Sequence, residues 1–442
     1  MKEKRMAPAR LIALGFLIVI IAGALLLMLP VASRGGVSFI DALFTSTSAT
    51  CVTGLVVRDT FTGWTAFGQV VIILLIQLGG LGFMTVITMV SMALGKRLGL
   101  YDRKVLMQSA GNITLSGVGG LMRRIIPFAF LIELTGASLL AIRFIPEFGW
   151  GRGLWYAVFH AVSAFCNAGF DLMGVKTPFS SLTDYVADPM VSLTVAALII
   201  IGGLGFLVWR DISFCGFHFK KYQLHTKLVL VTSGILLLGS TVLFLLFEWN
   251  ASMAGLTVPQ KILASFFQAV TTRTAGFNTV DLTELSASGG ILSDVLMFIG
   301  GSPGSTAGGV KTTTVAVLFL SAAASCRGRM RVNAFRYSID RETLRQASSI
   351  VLIYCGMIFT ALLALCAIEP VTLDQAVFEV VSALATVGLT LGITSTLSAA
   401  GKIILILLMY VGRIGALTFM LSFSGNKSEP PRERPAGKIL IG

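Results

Sequence analysis

The chain has 442 residues, 55% hydrophobic and 12% charged, about half the charge of an ordinary soluble domain. Its net charge is +13, but the basic residues cluster between long apolar runs, which suits the cytoplasmic loops of a membrane protein better than nucleic-acid binding. Six cysteines without CxxC spacing and three histidines without ligand spacing argue against a disulfide framework or a zinc site.

The first apolar run, residues 11–29, is longer than the core of a secretory signal and reads as a retained span. After it comes "FTSTSATCVTGL" (44–55), then a second run at 70–89. The order recurs: a run at 125–145, "FHAVSAFCNAGF" (159–170), a run at 190–208. Next come 228–247, "FFQAVTTRTAGF" (266–277) and an interrupted run, 291–320. The last set is 350–368, "FEVVSALATVGL" (378–389) and 403–423, followed by a polar, proline-rich tail. Basic clusters at 2–10, 96–104, 123–124, 210–227 and 327–345 alternate with loops bearing Asp59, Glu147, Asp171, Asp184, Glu248, Asp281, Glu284 and Glu369. The positive-inside rule then places both termini in the cytoplasm.

The four quoted stretches align without gaps, each opening on Phe with Gly ten residues later. Those glycines are Gly54, Gly169, Gly276 and Gly388, separated by 115, 107 and 112 residues. The piece leading to each Gly is too short to cross a bilayer and reads as a re-entrant half-helix. Two full spans per unit return the chain to the same side, so the copies are parallel. The expected fold is an all-α polytopic membrane protein with four parallel span–pore-loop–span repeats around a central pore. The repeats are placed at 1–105, 106–220, 221–335 and 336–424, with a cytoplasmic tail at 425–442.

A short helix ending in a glycine-bearing strand at membrane depth is how backbone carbonyls can replace the hydration shell of an ion. The candidate filter residues are Val52, Thr53 and Gly54; Asn167, Ala168 and Gly169; Thr274, Ala275 and Gly276; and Thr386, Val387 and Gly388. None of the four strands carries a carboxylate, which suits a monovalent cation and not Mg²⁺, an ion that dehydrates reluctantly. One such glycine would be an ordinary helix-packing position. Four at the same place in four repeats are not.

With these stretches, the broken third-repeat helix and "GRIGAL" (412–417), the chain resembles the Trk/Ktr/HKT superfamily of potassium transporters. It is most similar to the Ktr-type bacterial membrane subunit, over nearly its whole length. Trk-type relatives carry two further N-terminal spans, whereas here the first repeat begins at once. The resemblance implies K⁺ as the transported ion, held at the filter carbonyls, because glycine in all four filters goes with potassium and serine in the first goes with sodium. It implies a multi-pass protein of the bacterial plasma membrane and a homodimer, with residues 438–442 at the interface. The implied partner is a cytosolic nucleotide-binding regulatory ring. No covalent cofactor and no nucleic acid are implied, and Na⁺ activation or coupling stays open.

The second spans also share a frame: "QLGGLGF" (77–83), "IIGGLGF" (200–206), "FIGGSPG" (298–304) and "YVGRIGA" (410–416). Arg413 stands where the others have Gly80, Gly203 and Gly301. A charge at membrane depth costs about 2.5–3.5 kcal/mol even on a lenient scale, so Arg413 calls for a partner. The third repeat supplies a candidate: Gly301, Ser302, Pro303, Gly304, Ser305, Thr306, Ala307, Gly308 and Gly309 interrupt its helix. Irregular backbone is tolerated at that depth only inside protein or along a cavity. The expectation is a gating loop beneath the filter, its carbonyls bonded to Arg413, with Lys311 facing the pathway or the cytoplasmic vestibule. A Walker A reading fails because Val310 separates Gly309 from Lys311. Two rivals were weighed. A membrane-embedded enzyme would have to build its chemistry on Arg413 and Glu133, without a His or Asp cluster. A secondary carrier for another small solute would be expected to use inverted repeats, and only one helix here is expected to break. A Trk-type transporter, proton-coupled or ungated, is a further alternative.

Overall fold

The computed structural model describes residues 8–82, 118–415 and 418–420. The C-terminal tail at 425–442, with the expected interface residues 438–442, and the basic cluster at 96–104 lie outside the described residues. Apart from a hairpin pairing Asn333–Ala334 with Tyr337–Ser338, the regular structure described is helical.

The helices fall into four groups. The first is α1 (Pro8–Leu27), α2 (Phe39–Cys51) and α3 (Ala66–Gly80). The second is α4 (Val118–Phe148), α5 (Trp150–Phe165), α6 (Pro189–Leu204) and α7 (Phe206–Cys215). The third is α8 (Leu224–Phe247), α9 (Val258–Thr271), α10 (Ala287–Phe298) and α11 (Thr312–Cys326). The fourth is α12 (Arg341–Ile368), α13 (Leu373–Ala385) and α14 (Ala399–Ile414). Long, apolar α1, α4, α8 and α12 each suffice to cross a bilayer. The helices α2, α5, α9 and α13 have 13 to 16 residues. At 1.5 Å per residue they reach about 20–24 Å, short of the roughly 30 Å hydrocarbon core.

Local chemistry starts these helices where they are needed. Ser38 caps α2, and capping boxes (Thr257 with Gln260, Thr372 with Gln375) open α9 and α13. In the third and fourth groups a buried glutamate at the end of the first span holds the cap of the second. Glu248 accepts from the Ser286 hydroxyl at 2.6 Å, and Glu369 accepts from the Ser398 hydroxyl and, at 3.0 Å, from its N–H. Gly289 and Gly401 leave room for those carboxylates.

Three of the four second helices pack against short helices on both sides, and the third-group one against a short helix on one side. α3 lies against α2 and α5, α6 against α5 and α9, α10 against α13, and α14 against α13 and α2. The order closes on itself. Lys402 of α14 pairs with Asp41 of α2 at 2.8 Å, and the Tyr410 hydroxyl donates to the Ala13 carbonyl at 2.7 Å.

The expected continuous second spans are not continuous, and the break is not confined to the third group. α3 stops at Gly80, α6 and α7 meet at a 93° bend, and α14 stops at Ile414. Gly82, Gly205 and Gly415 occupy one column of the aligned second spans and have φ of +83°, +93° and +91°. Backbone of that hand cannot continue a right-handed helix, and glycine adopts it without a Cβ penalty. Pro303 holds the same column in the third group.

Candidate functional site

The four glycines meet. A Cβ placed on Gly54 would lie 2.5 Å from the Ala168 carbonyl oxygen, and one on Gly169 would lie 2.8 Å from that of Ala275. One on Gly276 would lie 2.7 Å from the Val387 oxygen, and one on Gly388 would lie 2.1 Å from the Thr53 oxygen. Each glycine thus faces a backbone carbonyl of the next strand, in the cyclic order of the chain. Their φ values, +95°, +69°, +81° and +93°, lie where a residue with a side chain is strained.

The strands share more than glycine. Two residues earlier, Val52, Asn167, Thr274 and Thr386 all adopt the left-handed conformation, with φ of 57°, 58°, 67° and 54°. Each such residue costs about 1–3 kcal/mol and persists only where its surroundings over-determine it. In three strands the next N–H returns to a serine carbonyl: Thr53 to Ser48 at 2.8 Å, Ala168 to Ser163 at 2.7 Å and Val387 to Ser382 at 2.8 Å. The third strand differs: Val270 stands in the serine column, and the Ala275 N–H reaches the Thr271 carbonyl, one residue on, at 2.9 Å. The Ser48 and Ser382 hydroxyls also accept from the Gly54 and Gly388 N–H, each at 3.1 Å.

Under the strands the second helices come close through glycine. Cβ atoms on Gly79, Gly202 and Gly412 would lie 1.9, 2.0 and 2.0 Å from the carbonyl oxygens of Thr50, Phe165 and Leu384. These three oxygens belong to one column of the repeated stretches. The third group breaks the pattern, since Gly300 faces the Gly308 carbonyl, where the chain has folded back on itself.

That fold is the loop. It is closed at its neck by Gly300 N–H donating to Val310 at 3.0 Å and Val310 N–H donating to Phe298 at 3.1 Å. Its body borrows partners from the second group: Ser302 N–H donates to Gly203 at 3.1 Å, and Phe206 N–H donates to Gly304 at 2.9 Å. The Ser305 hydroxyl donates to Ser302 at 2.7 Å, and Thr312 N–H donates to Gly301 at 3.1 Å. Pro303 and Gly304 form the tip, against Gly205, and Ala307 is buried. Arg413 donates to the Thr306 carbonyl from one terminal nitrogen. From the other it donates to Gly79, with Gly80 at 3.4 Å. The guanidinium therefore ties the loop to α3 as well as to its own helix α14.

Lys311 folds back on the loop. Its ammonium turns back and donates to Ala307 at 2.6 Å and Gly308 at 3.3 Å. Loop carbonyls left bare in a low-dielectric interior hold a nearby cation more strongly than open water would.

Residues 9–430 match the TrkH family, described as cation transport protein. The chain belongs to the TrkH cation transport family. It is 43% identical to the Ktr system potassium uptake protein B of Bacillus subtilis, covering 100% of this chain and 98% of that protein. It is 42% identical to the potassium/sodium uptake protein NtpJ of Enterococcus hirae, over the same shares. The crystal structure of the potassium transporter TrkH from Vibrio parahaemolyticus superposes with a TM-score of 0.75 at 18% identity, over 96% of this chain and 86% of that one. At that identity the likeness speaks to the fold alone. As a TrkH-family member the chain is a multi-pass membrane transporter, not an enzyme.

Sequence reasoning missed several polar residues of this TrkH-family chain. Glu133, set aside with the enzyme reading, is buried and accepts both its bonds from Gln77 Nε2, at 3.0 and 3.2 Å. Arg273 is buried where the other strands have Cys51, Cys166 and Ala385, and donates to the Ser233 hydroxyl at 3.0 Å. Its charge stands out in the aligned stretches and was readable there. The side chain of Asn167 was not, because its partner comes from the loop.

Proposed function

We propose that this chain is the potassium-translocating pore subunit of a Ktr-type uptake system, with the four strands as its selectivity filter. The observation that carries the reading is the cyclic contact of Gly54, Gly169, Gly276 and Gly388 with neighbouring carbonyls. Neutral carbonyls closely set around one axis suit a monovalent cation that sheds water cheaply. The full-length relatives named above for potassium or potassium/sodium uptake support potassium as the cargo. The four groups act as parallel repeats around one pore.

The loop from Gly301 to Gly309, with Arg413 and Lys311, is the gate. It would obstruct ions sterically, and its two cations oppose a third charge in a medium of low dielectric. Both termini lie in the cytoplasm. The subunit works as a homodimer on a cytosolic nucleotide-binding regulatory ring, a reading supported by its likeness to the Ktr system protein. Recovery of a lone monomer from the native host would count against the assembly.

Potassium uptake in a bacterial strain without its own potassium transporters tests the central claim. The chain restores growth at low potassium, and Gly54→Ser lets sodium compete, because the new side chain must displace the Ala168 carbonyl. Full potassium selectivity in a folded Gly54→Ser variant would remove the first strand from the filter.

A further inference from the structure

Every polar atom of Thr306 is engaged outside the loop. Its N–H donates to Gly202 of α6 at 3.4 Å, and its carbonyl accepts from Arg413 of α14. Its hydroxyl lies 3.1 Å from Asn167 Oδ1 and 3.3 Å from the Phe165 carbonyl oxygen, both at the base of the second strand. Thr306 and Asn167 are each only 1% exposed. Among the four left-handed residues at the strand bases, Asn167 alone bears an amide; the others are Val52, Thr274 and Thr386. On the opposite flank Gly308 sits against Thr386, where a Cβ would lie 2.0 Å from the threonine hydroxyl. The loop is therefore bounded by the bases of the second and fourth strands, bonded to the one and in steric contact with the other.

We propose that Asn167 is a positioning residue of the gate: through Thr306 it latches the loop to the second filter strand. The proposal rests on the gate reading above and adds its filter-side hold. A buried hydrogen bond that must break for the loop to leave biases the closed state by an amount one side-chain atom can remove. Asn167 Nδ2 has no partner among the described residues, so the amide gains nothing from this orientation except the Thr306 bond. Valine and threonine stand in the same column with the same backbone hand at Val52, Thr274 and Thr386, so Asn167→Val and Asn167→Thr keep a conformation the chain already uses.

The test is basal potassium flux of the full-length chain in proteoliposomes, with the potassium-to-sodium ratio read in parallel. Thr306→Val raises basal flux about five- to tenfold, the equilibrium effect of losing one buried hydrogen bond. Thr306→Ser, which keeps the hydroxyl, raises it far less. Asn167→Val or Asn167→Thr raises flux less, since the Phe165 carbonyl still accepts the Thr306 hydroxyl, and adds nothing on top of Thr306→Val. Thr306→Val leaves the ion ratio where it was. If deleting residues 305–308 raises flux while Thr306→Val and both Asn167 variants stay at the parent level, the loop is the gate and the latch is wrong. If the deletion raises nothing, the gate reading falls and takes the latch with it. An Asn167 variant that changes the ion ratio and not the basal flux confines Asn167 to its filter role and overturns the proposal.

Discussion

The four glycine strands and the loop beneath them are held in opposite ways. Each strand is fixed largely by its own chain: a half-helix delivers it, a left-handed residue turns it, and in three of four a serine five residues back ties it down. The loop has a closed neck, but its body depends on Gly203, Phe206 and Gly202 from the second group and on Arg413 from the fourth. Structure built from local bonds is costly to deform. Structure built from borrowed partners can be released when one partner moves. The repeated unit thus yields a locally bonded strand four times and a loop with borrowed partners once, where Pro303 takes the glycine column of the second spans.

That contrast is broken most severely at the strands. Gly388→Ala would place a methyl 2.1 Å from the Thr53 oxygen on backbone with φ of +93°. Potassium uptake should fall by roughly a hundredfold, about two factors of ten in barrier terms. Near-normal uptake with normal membrane expression would mean that the ring is not on the ion path. The loop should respond in the other direction. Removing Ser305, Thr306, Ala307 and Gly308 should raise flux about tenfold and make it less dependent on a cytosolic partner, the scale of a modest population shift. A folded deletion with flux at or below the parent level would refute the gate. A smaller rise is expected for Arg413→Ala, because Thr306 keeps its bonds to Gly202 and Asn167. Combining Arg413→Ala with the deletion should add nothing, and an additive result would mean that Arg413 acts elsewhere.

Much of the site could be read along the chain because it depends on repetition. Four Phe-to-Gly stretches in register marked the strands, and four second spans in register exposed Arg413 and the interruption. The breaks at Gly82, Gly205 and Gly415 fall in one column of the same alignment, but the residue type there does not reveal them. Glycine there is compatible with a packed helix as well as with a bend, and residue type does not choose between them. The bonds of Lys311 were not readable for a related reason, since its reach allows several carbonyls and the nearest ones exist only after the loop has closed.

By itself the sequence determined that the chain crosses a membrane repeatedly, that short helices end in glycine strands, and that one second span breaks around a small-residue loop. These follow from apolar length, from the rarity of positive φ in residues other than glycine, and from the cost of bare backbone in hydrocarbon. Only the tertiary structure decided that Gly388 meets Thr53, that Arg413 bridges the loop to α3, that Glu248 and Glu369 hold the caps of the next helices, and that Asn167 meets Thr306. A polar group's own identity says that it needs a partner. Which partner it takes is settled by what packing brings within about 3 Å, and for these groups that came from segments tens to hundreds of residues away.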